Sequence, residues 1–185
     1  GIQREGVRAL HGCFARDVKW SHGRMSLRLR SALIILAVAA LDRASKLYIR
    51  AQVSPWDVIP VIPGIFNIVH AENPGAAFSM LAEAPPLVRG ILLVGVSLVV
   101  MGIIGVMLWR LPANASLLVS LPLALVFSGA LGNLWDRILR GTVTDFVQVF
   151  IGAYEFPSFN VADSAISIGA ALLAVDLLRS GRRAA

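Results

Sequence analysis

The 185-residue chain is 57% hydrophobic and only 15% charged, with a mean hydropathy of +0.74, whereas soluble domains carry about 25% charged residues. This composition excludes a water-exposed globular domain, and the length suits one domain with room for four spans of about 20 residues and their connections. The net charge of +6 is no nucleic-acid signature, because Lys and Arg flank apolar runs and are not interleaved with stacking aromatics.

Residues 1–24 are polar and basic, carry no apolar period and do not begin with Met. They are expected to be a disordered extension or tag outside the fold, with Met25 and its following basic cluster as a natural start. Cys13 is the single cysteine, so no internal disulfide and no CxxC metal or redox site exists. Residues 25–185 are expected to form a single membrane domain.

Four apolar runs predict membrane-crossing helices over about 27–48, 87–109, 116–135 and 160–178. The first is not a cleaved leader: no small-residue site follows it, and the downstream residues are charged. Between the first two, Val58, Ile59, Val61, Ile62, Ile65, Phe66, Ile68 and Val69 alternate with Pro60, Pro63 and Gly64, which predicts a small β lobe over about 55–80. Asn73-Pro74-Gly75 reads as a turn in which Gly75 permits φ > 0. After the third run, Thr142 to Val147 form a short alternating stretch able to join that lobe.

Basic residues at 4, 8, 16, 19, 24, 28, 30, 110, 179, 182 and 183 outnumber those at 43, 46, 50, 89, 137 and 140. Both termini are therefore expected inside, with the two long connections outside. The fold class expected is an all-α, four-span membrane protein with a small extracytoplasmic β-sheet lobe. No internal repeat is evident, which counts against an inverted-repeat transporter.

Ionisable groups in or beside spans are costly and need a partner or a task. Six acids qualify: Asp42, Glu72, Asp136, Asp145, Asp163 and Asp176. Asp42 and Lys46 are spaced i, i+4, as a structural ion pair at a helix end would be. Asp136 adjoins Arg137, and Asn133, Asp136, Arg137 and Arg140 are expected on one helical face as scaffold or substrate-positioning groups. Asp176 lies one turn before Arg179 and reads as an interfacial anchor.

Asp145 and Asp163 differ, since neither has Lys, Arg or His within four residues and both fall at outer ends. Two carboxyls in a partly desolvated pocket share a proton, so that one activates water while the other polarises a carbonyl. That is aspartic proteolysis, which needs no metal and no cofactor. Two plainer readings stand beside it: Asn160 to Asp163 has the spacing of a helix cap, and Asp145 reads equally as an exposed loop acid. The same acids also suit a proton-coupled transporter or channel, although such a protein predicts acids near mid-span; a structural four-helix subunit is a third reading. His11, His22 and His70 lack ligand spacing, and Ser79 and Ser164 lack a nucleophile elbow or base. Ser/Lys chemistry with Lys46 has no further support.

Five ordered stretches carry a resemblance: Asp42-Arg-Ala-Ser-Lys46, Asn73-Pro-Gly-Ala-Ala-Phe-Ser79, Gly129-Ala-Leu-Gly-Asn-Leu-Trp-Asp-Arg137, Val143-Thr-Asp-Phe146 and Phe159-Asn-Val-Ala-Asp-Ser-Ala-Ile166. In these the chain resembles the bacterial lipoprotein signal peptidases, or signal peptidase II, over residues 27–178. The resemblance implies an inner-membrane enzyme that cuts diacylglyceryl-modified prolipoproteins just before the lipidated cysteine, with an outer β-cradle. It implies Asp145 and Asp163 as catalytic residues. Asn73, Asn133, Arg137 and Asn160 would hold substrate, and Asp42, Lys46, Gly75 and Asp136 would support the site. Inhibition by globomycin-type cyclic peptides is also implied. Pro74 occupies the variable place of the Asn-x-Gly motif, and residues 1–24 have no counterpart in the family.

Overall fold

The computed structural model describes residues 26–75, 85–112 and 114–184. Residues 1–24, with Cys13, His11 and His22, and residues 76–80 of the expected β lobe, with Ser79, lie outside them. Four helices and four strands follow in the order α1 (Leu27–Gln52), β1 (Val58–Ile62), β2 (Phe66–Asn73), α2 (Pro86–Arg110), α3 (Leu117–Arg140), β3 (Val143–Ile151), β4 (Tyr154–Phe159) and α4 (Val161–Ala184).

Local chemistry sets the helix ends. The Ser26 and Ser116 hydroxyls accept hydrogen bonds from Leu29 N (3.3 Å) and Leu118 N (3.1 Å) and so cap α1 and α3. Pro86 opens α2, where its missing N–H costs nothing. Gly141, at φ 75°, ends α3 in a left-handed turn whose N–H returns to Arg137 O.

Three helices are long and apolar enough to cross a membrane: Pro86–Arg110, Leu117–Arg140 and Val161–Arg179. Helix α1 is of similar length, 26 residues, but carries Arg28, Arg30, Asp42, Arg43, Lys46 and Arg50. On α2, Leu87, Ile91, Val99 and Ile103 are exposed, as lipid-facing side chains are.

Helix α3 is the central element and packs on the other three. Contact there is close enough to require glycine: a Cβ on Gly129 would collide with Ala162 O, and one on Gly132 would lie 2.5 Å from Asp42 Oδ2. An apolar cluster of Ile104, Leu123 and Val126 joins α2 to α3.

The strands form one antiparallel sheet in the order β1-β2-β3-β4. The predicted lobe and the predicted run after α3 therefore share a sheet, with Ala71 opposite Asp145 and Glu72 opposite Thr144. Strand β3 continues to Ile151 and returns through Gly152, at φ 62°, into β4, a hairpin not anticipated from the sequence. Alternation along β3 sends Phe146 to Ile49 and Val53 of α1 and Val143 and Asp145 to a cavity on the other face.

Candidate active site

A cavity of about 1030 Å³ is bounded by the sheet and by α2, α3 and α4. Asn73, Asn133, Arg137, Asp145 and Asp163 line its polar end; Val96, Val100 and Val126 line an apolar part. Asp145 is 3% exposed, which corrects the reading of an exposed loop acid: both faces of β3 are covered at this point.

Asn160 ties the two carboxyls together. Its Nδ2 donates to Asp145 Oδ1 at 2.7 Å, and its backbone N–H donates to Asp163 Oδ2 at 3.3 Å. In return Asp163 N donates to Asn160 Oδ1 at 3.0 Å. This reciprocal pair is a capping box, so the capping reading of Asp163 and its placement in the cavity hold together. The remaining oxygens are met by two further amides: Asn73 Nδ2 reaches Asp145 Oδ2 at 3.0 Å and Asn133 Nδ2 reaches Asp163 Oδ1 at 2.7 Å.

Burial pushes the Asp145 carboxyl up to about 6; the Asp163 charge adds to the rise, and the Asn73 and Asn160 hydrogen bonds oppose it. Around that pH Asp145 can keep or release a proton beside a second carboxyl, as water activation by an acid and a base requires. Among the described residues, no group of three or more His, Cys, Asp or Glu is placed to hold a metal ion.

A family profile described as signal peptidase (SPase) II matches residues 34–179. The lipoprotein signal peptidase of Syntrophus aciditrophicus is 44% identical over 158 residues, covering 82% of this chain and 96% of that protein. That of Pseudomonas aeruginosa is 43% identical over 154 residues, covering 83% and 90%. A bacterial membrane enzyme structure solved in meso at 2.3 Å superposes with a TM-score of 0.74 at 32% identity, covering 82% of this chain and 89% of that one. This chain belongs to the signal peptidase II family. As a member of that family it is a peptidase, and its helices and sheet form a membrane-enzyme fold.

The supporting residues named from the sequence also converge. Lys46 is fully buried, ion-paired with Asp42 Oδ2 (2.9 Å) and Asp136 Oδ2 (3.0 Å), and donates to Asn133 Oδ1 (3.0 Å). Asp42 Oδ1 accepts the Ala162 N–H at 2.9 Å, so an acid on α1 caps the first turn of α4 from outside that helix. Arg137 Nη2 donates to Gly75 O at 3.2 Å, and Gly75 N donates to Asn73 Oδ1 at 2.9 Å. The positive-φ glycines among the described residues are Gly64, Gly141 and Gly152. Gly75 thus serves the turn through its N–H and carbonyl.

Two expectations need correction. The Asp42–Lys46 pair is no simple helix-end contact, since it is buried against α3 and α4. Nor do Asn133, Asp136, Arg137 and Arg140 share one face: Asn133 and Arg137 line the cavity, whereas Asp136 turns to α1, where Arg43 (3.4 Å) and Arg50 (3.5 Å) join Lys46 around it. Arg43 and Arg50 escaped the sequence reading, although 43, 46 and 50 fall on one helical stripe. Thr144 escaped it too: its hydroxyl accepts from Arg50 Nη1 and donates to Glu72 Oε1, both at 2.9 Å, behind the strand that carries Asp145.

Proposed function

We propose that this peptidase removes the signal peptide from diacylglyceryl-modified prolipoproteins, cleaving just before the lipidated cysteine, and that Asp145 and Asp163 are its catalytic residues. The observation that carries the dyad is the pair of hydrogen bonds by which Asn160 donates to both carboxyls at the polar end of the cavity. The relatives, named as lipoprotein signal peptidases, support the substrate class.

Asp145, pushed up by burial, holds the shared proton and donates it toward the scissile carbonyl oxygen. Asp163, held by Asn133 and Asn160, takes a proton from the attacking water. The tetrahedral intermediate collapses as Asp163 returns that proton to the departing cysteine nitrogen and the C–N bond breaks. Asp145 recovers its proton from the intermediate's hydroxyl, which closes the cycle. Asn73, Asn133, Arg137 and Asn160 bind the substrate backbone around this centre, with Asp42, Lys46, Gly75 and Asp136 supporting them. The apolar part of the cavity, at Val96, Val100 and Val126, takes the acyl chains, which binds a lipidated peptide by hydrophobic burial.

In this reading residues 25–185 form one domain in the bacterial inner membrane. Helix α1 is the fourth span, its charged stripe sealed against α3, and both termini are cytoplasmic. The sheet lies on the outer face, where water reaches the dyad. Cyclic peptides of the globomycin type compete for the same cavity.

The test pairs a diacylated precursor peptide with its unlipidated twin, using the purified enzyme in lipid. Cleavage of the lipidated form alone is expected, unaffected by chelators and abolished by Asp145→Asn or Asp163→Asn. Either variant cutting at the normal rate refutes the dyad, and equal cleavage of both peptides refutes the substrate class.

A further inference from the structure

We propose that Lys46 is a positioning residue for catalysis: it acts through Asn133 to hold Asp163 in its working orientation. The proposal rests on the reading of Asp145 and Asp163 as the dyad and goes beyond it by assigning a task to a cation on a different helix.

An ammonium has three donors and no acceptor. Whatever Lys46 Nζ meets must therefore present oxygen, and besides the carboxylates of Asp42 and Asp136 it meets the Asn133 side chain at 3.0 Å. That charged contact is the shortest to the Asn133 oxygen and favours Oδ1 on the Lys46 side. With Oδ1 turned to Lys46, the NH2 group is left for Asp163 Oδ1, 2.7 Å away. The amide has two donors and one acceptor oxygen, and either orientation fits the same space. Asn160 Nδ2 lies farther from the same Asn133 oxygen, at 3.4 Å, so without the cation only a long, neutral contact is left to hold the orientation, and a flipped Asn133 would set its oxygen against a carboxylate oxygen.

The same ion pair holds the backbone of the catalytic helix. Asp42, paired with Lys46 on one oxygen, accepts the Ala162 N–H on the other. Helix α1 thus grips the first turn of α4 twice, at the Asp163 carboxyl through Asn133 and at the adjacent main chain through Asp42. Lys46 is wholly buried, so it touches neither the cavity nor substrate. A charge is costly to bury, and Asp136, with Arg43 and Arg50 behind it, completes the compensation.

A double-mutant cycle on Lys46→Met and Asn133→Ala tests this, with kcat and KM measured on the diacylated peptide. Lys46→Met should lower kcat about 10- to 100-fold with KM changed less than about threefold, the signature of a misplaced reacting group. In the Asn133→Ala background the same substitution should cost at least about threefold less than in the parent, because the orientation it secures is already lost and only the hold on Ala162 through Asp42 remains. A general loss of folded enzyme would multiply through both backgrounds, so equal fold-losses overturn the proposal, as does an unchanged kcat. Should Lys46→Met not accumulate as folded protein, Lys46→Met/Asp136→Asn, which removes one charge of each sign, carries the same cycle. Asp163→Asn is assayed alongside. If it retains activity, the dyad reading itself fails; if it is inactive while the cycle is multiplicative, only the role of Lys46 falls.

Discussion

Asn160 Nδ2 donates to Asp145 Oδ1 at 2.7 Å, while its own main chain is locked to Asp163. The residue is fully buried, so one amide fixes the mutual placement of two carboxyls from different elements. Asn160→Ala leaves Asp145 Oδ1 and Asp163 N without these partners. Stability should fall by about 1–3 kcal/mol, measured as loss of the thermal midpoint in detergent. The kcat should fall about 100-fold, because the proposed catalytic pair loses its relative geometry. Asn160→Asp keeps the cap oxygen but adds a third negative charge, and it should retain stability better than activity.

Asp145 sits in a folded environment that favours its neutral form, with a carboxyl at about 6 against an ordinary 3.8. Between those values the folded state binds more protons than the unfolded one, so stability falls as pH rises through this window and the cost is fully present above it. Asp145→Asn removes that cost. The variant should be inactive yet more stable than the parent at pH 7.5, by an amount on the order of 2 kcal/mol, with the difference vanishing below about pH 4. Unfolding of both proteins followed from pH 3.5 to 8 checks this; a variant less stable at pH 7.5 contradicts it.

The helices were legible because apolar runs of sufficient length have few other meanings, and β1 and β2 because branched residues alternate between turn formers. Strand β4 was not. Pro157 and Ser158 interrupt it, and Phe156 and Phe159 stand three apart where a regular strand would put them two apart, at a register shift opposite Val147 and Val149. In the site, two lone acids at outer ends suggested a dyad, but chemistry alone could not bring them together. The β2–β3 pairing and the Asn160 amide do so. Asp136 was expected on the wrong helical face because its partners Arg43, Lys46 and Arg50 lie 86 to 93 positions away in the chain, beyond any local periodicity.

Gly132 faces Asp42 so closely that a methyl group there would lie 2.5 Å from Oδ2 and 3.1 Å from Cγ. Gly132→Ala must therefore displace Asp42 from Ala162 N or from Lys46. An overpacking loss of about 1–3 kcal/mol is expected, together with reduced kcat, since the first turn of α4 carries Asp163. Gly95→Ala on α2 is the control. No atom lies within 4 Å of its added methyl, and Ala is the better helix former, so thermal midpoint and activity should be unchanged or slightly improved. Equal behaviour of the two variants would show that the α1–α3 approach is not tight.

Arg137 joins the sheet to the bundle by donating from Nη2 to Gly75 O, while Asn73 Oδ1 takes the Gly75 N–H two bonds along the same turn. Asn73 in turn holds Asp145 Oδ2, so the guanidinium steadies the Asp145 carboxyl through one turn of backbone while itself lining the cavity. Arg137→Lys keeps the charge but replaces a planar fork with a single flexible ammonium. An ammonium that holds the Gly75 carbonyl has no second fork nitrogen left to present to the cavity. A fall in kcat/KM of about 10-fold is expected, carried mainly by KM if the lost contact is to substrate and by kcat if Asn73 shifts. Arg137→Met, which loses both charge and donors, should cost at least 10-fold more. The two substitutions measured on one lipidated peptide separate geometry from charge: if Lys and Met are equally impaired, the bidentate reach of Arg137 is what the site uses, and if Lys is fully active, the positive charge alone suffices.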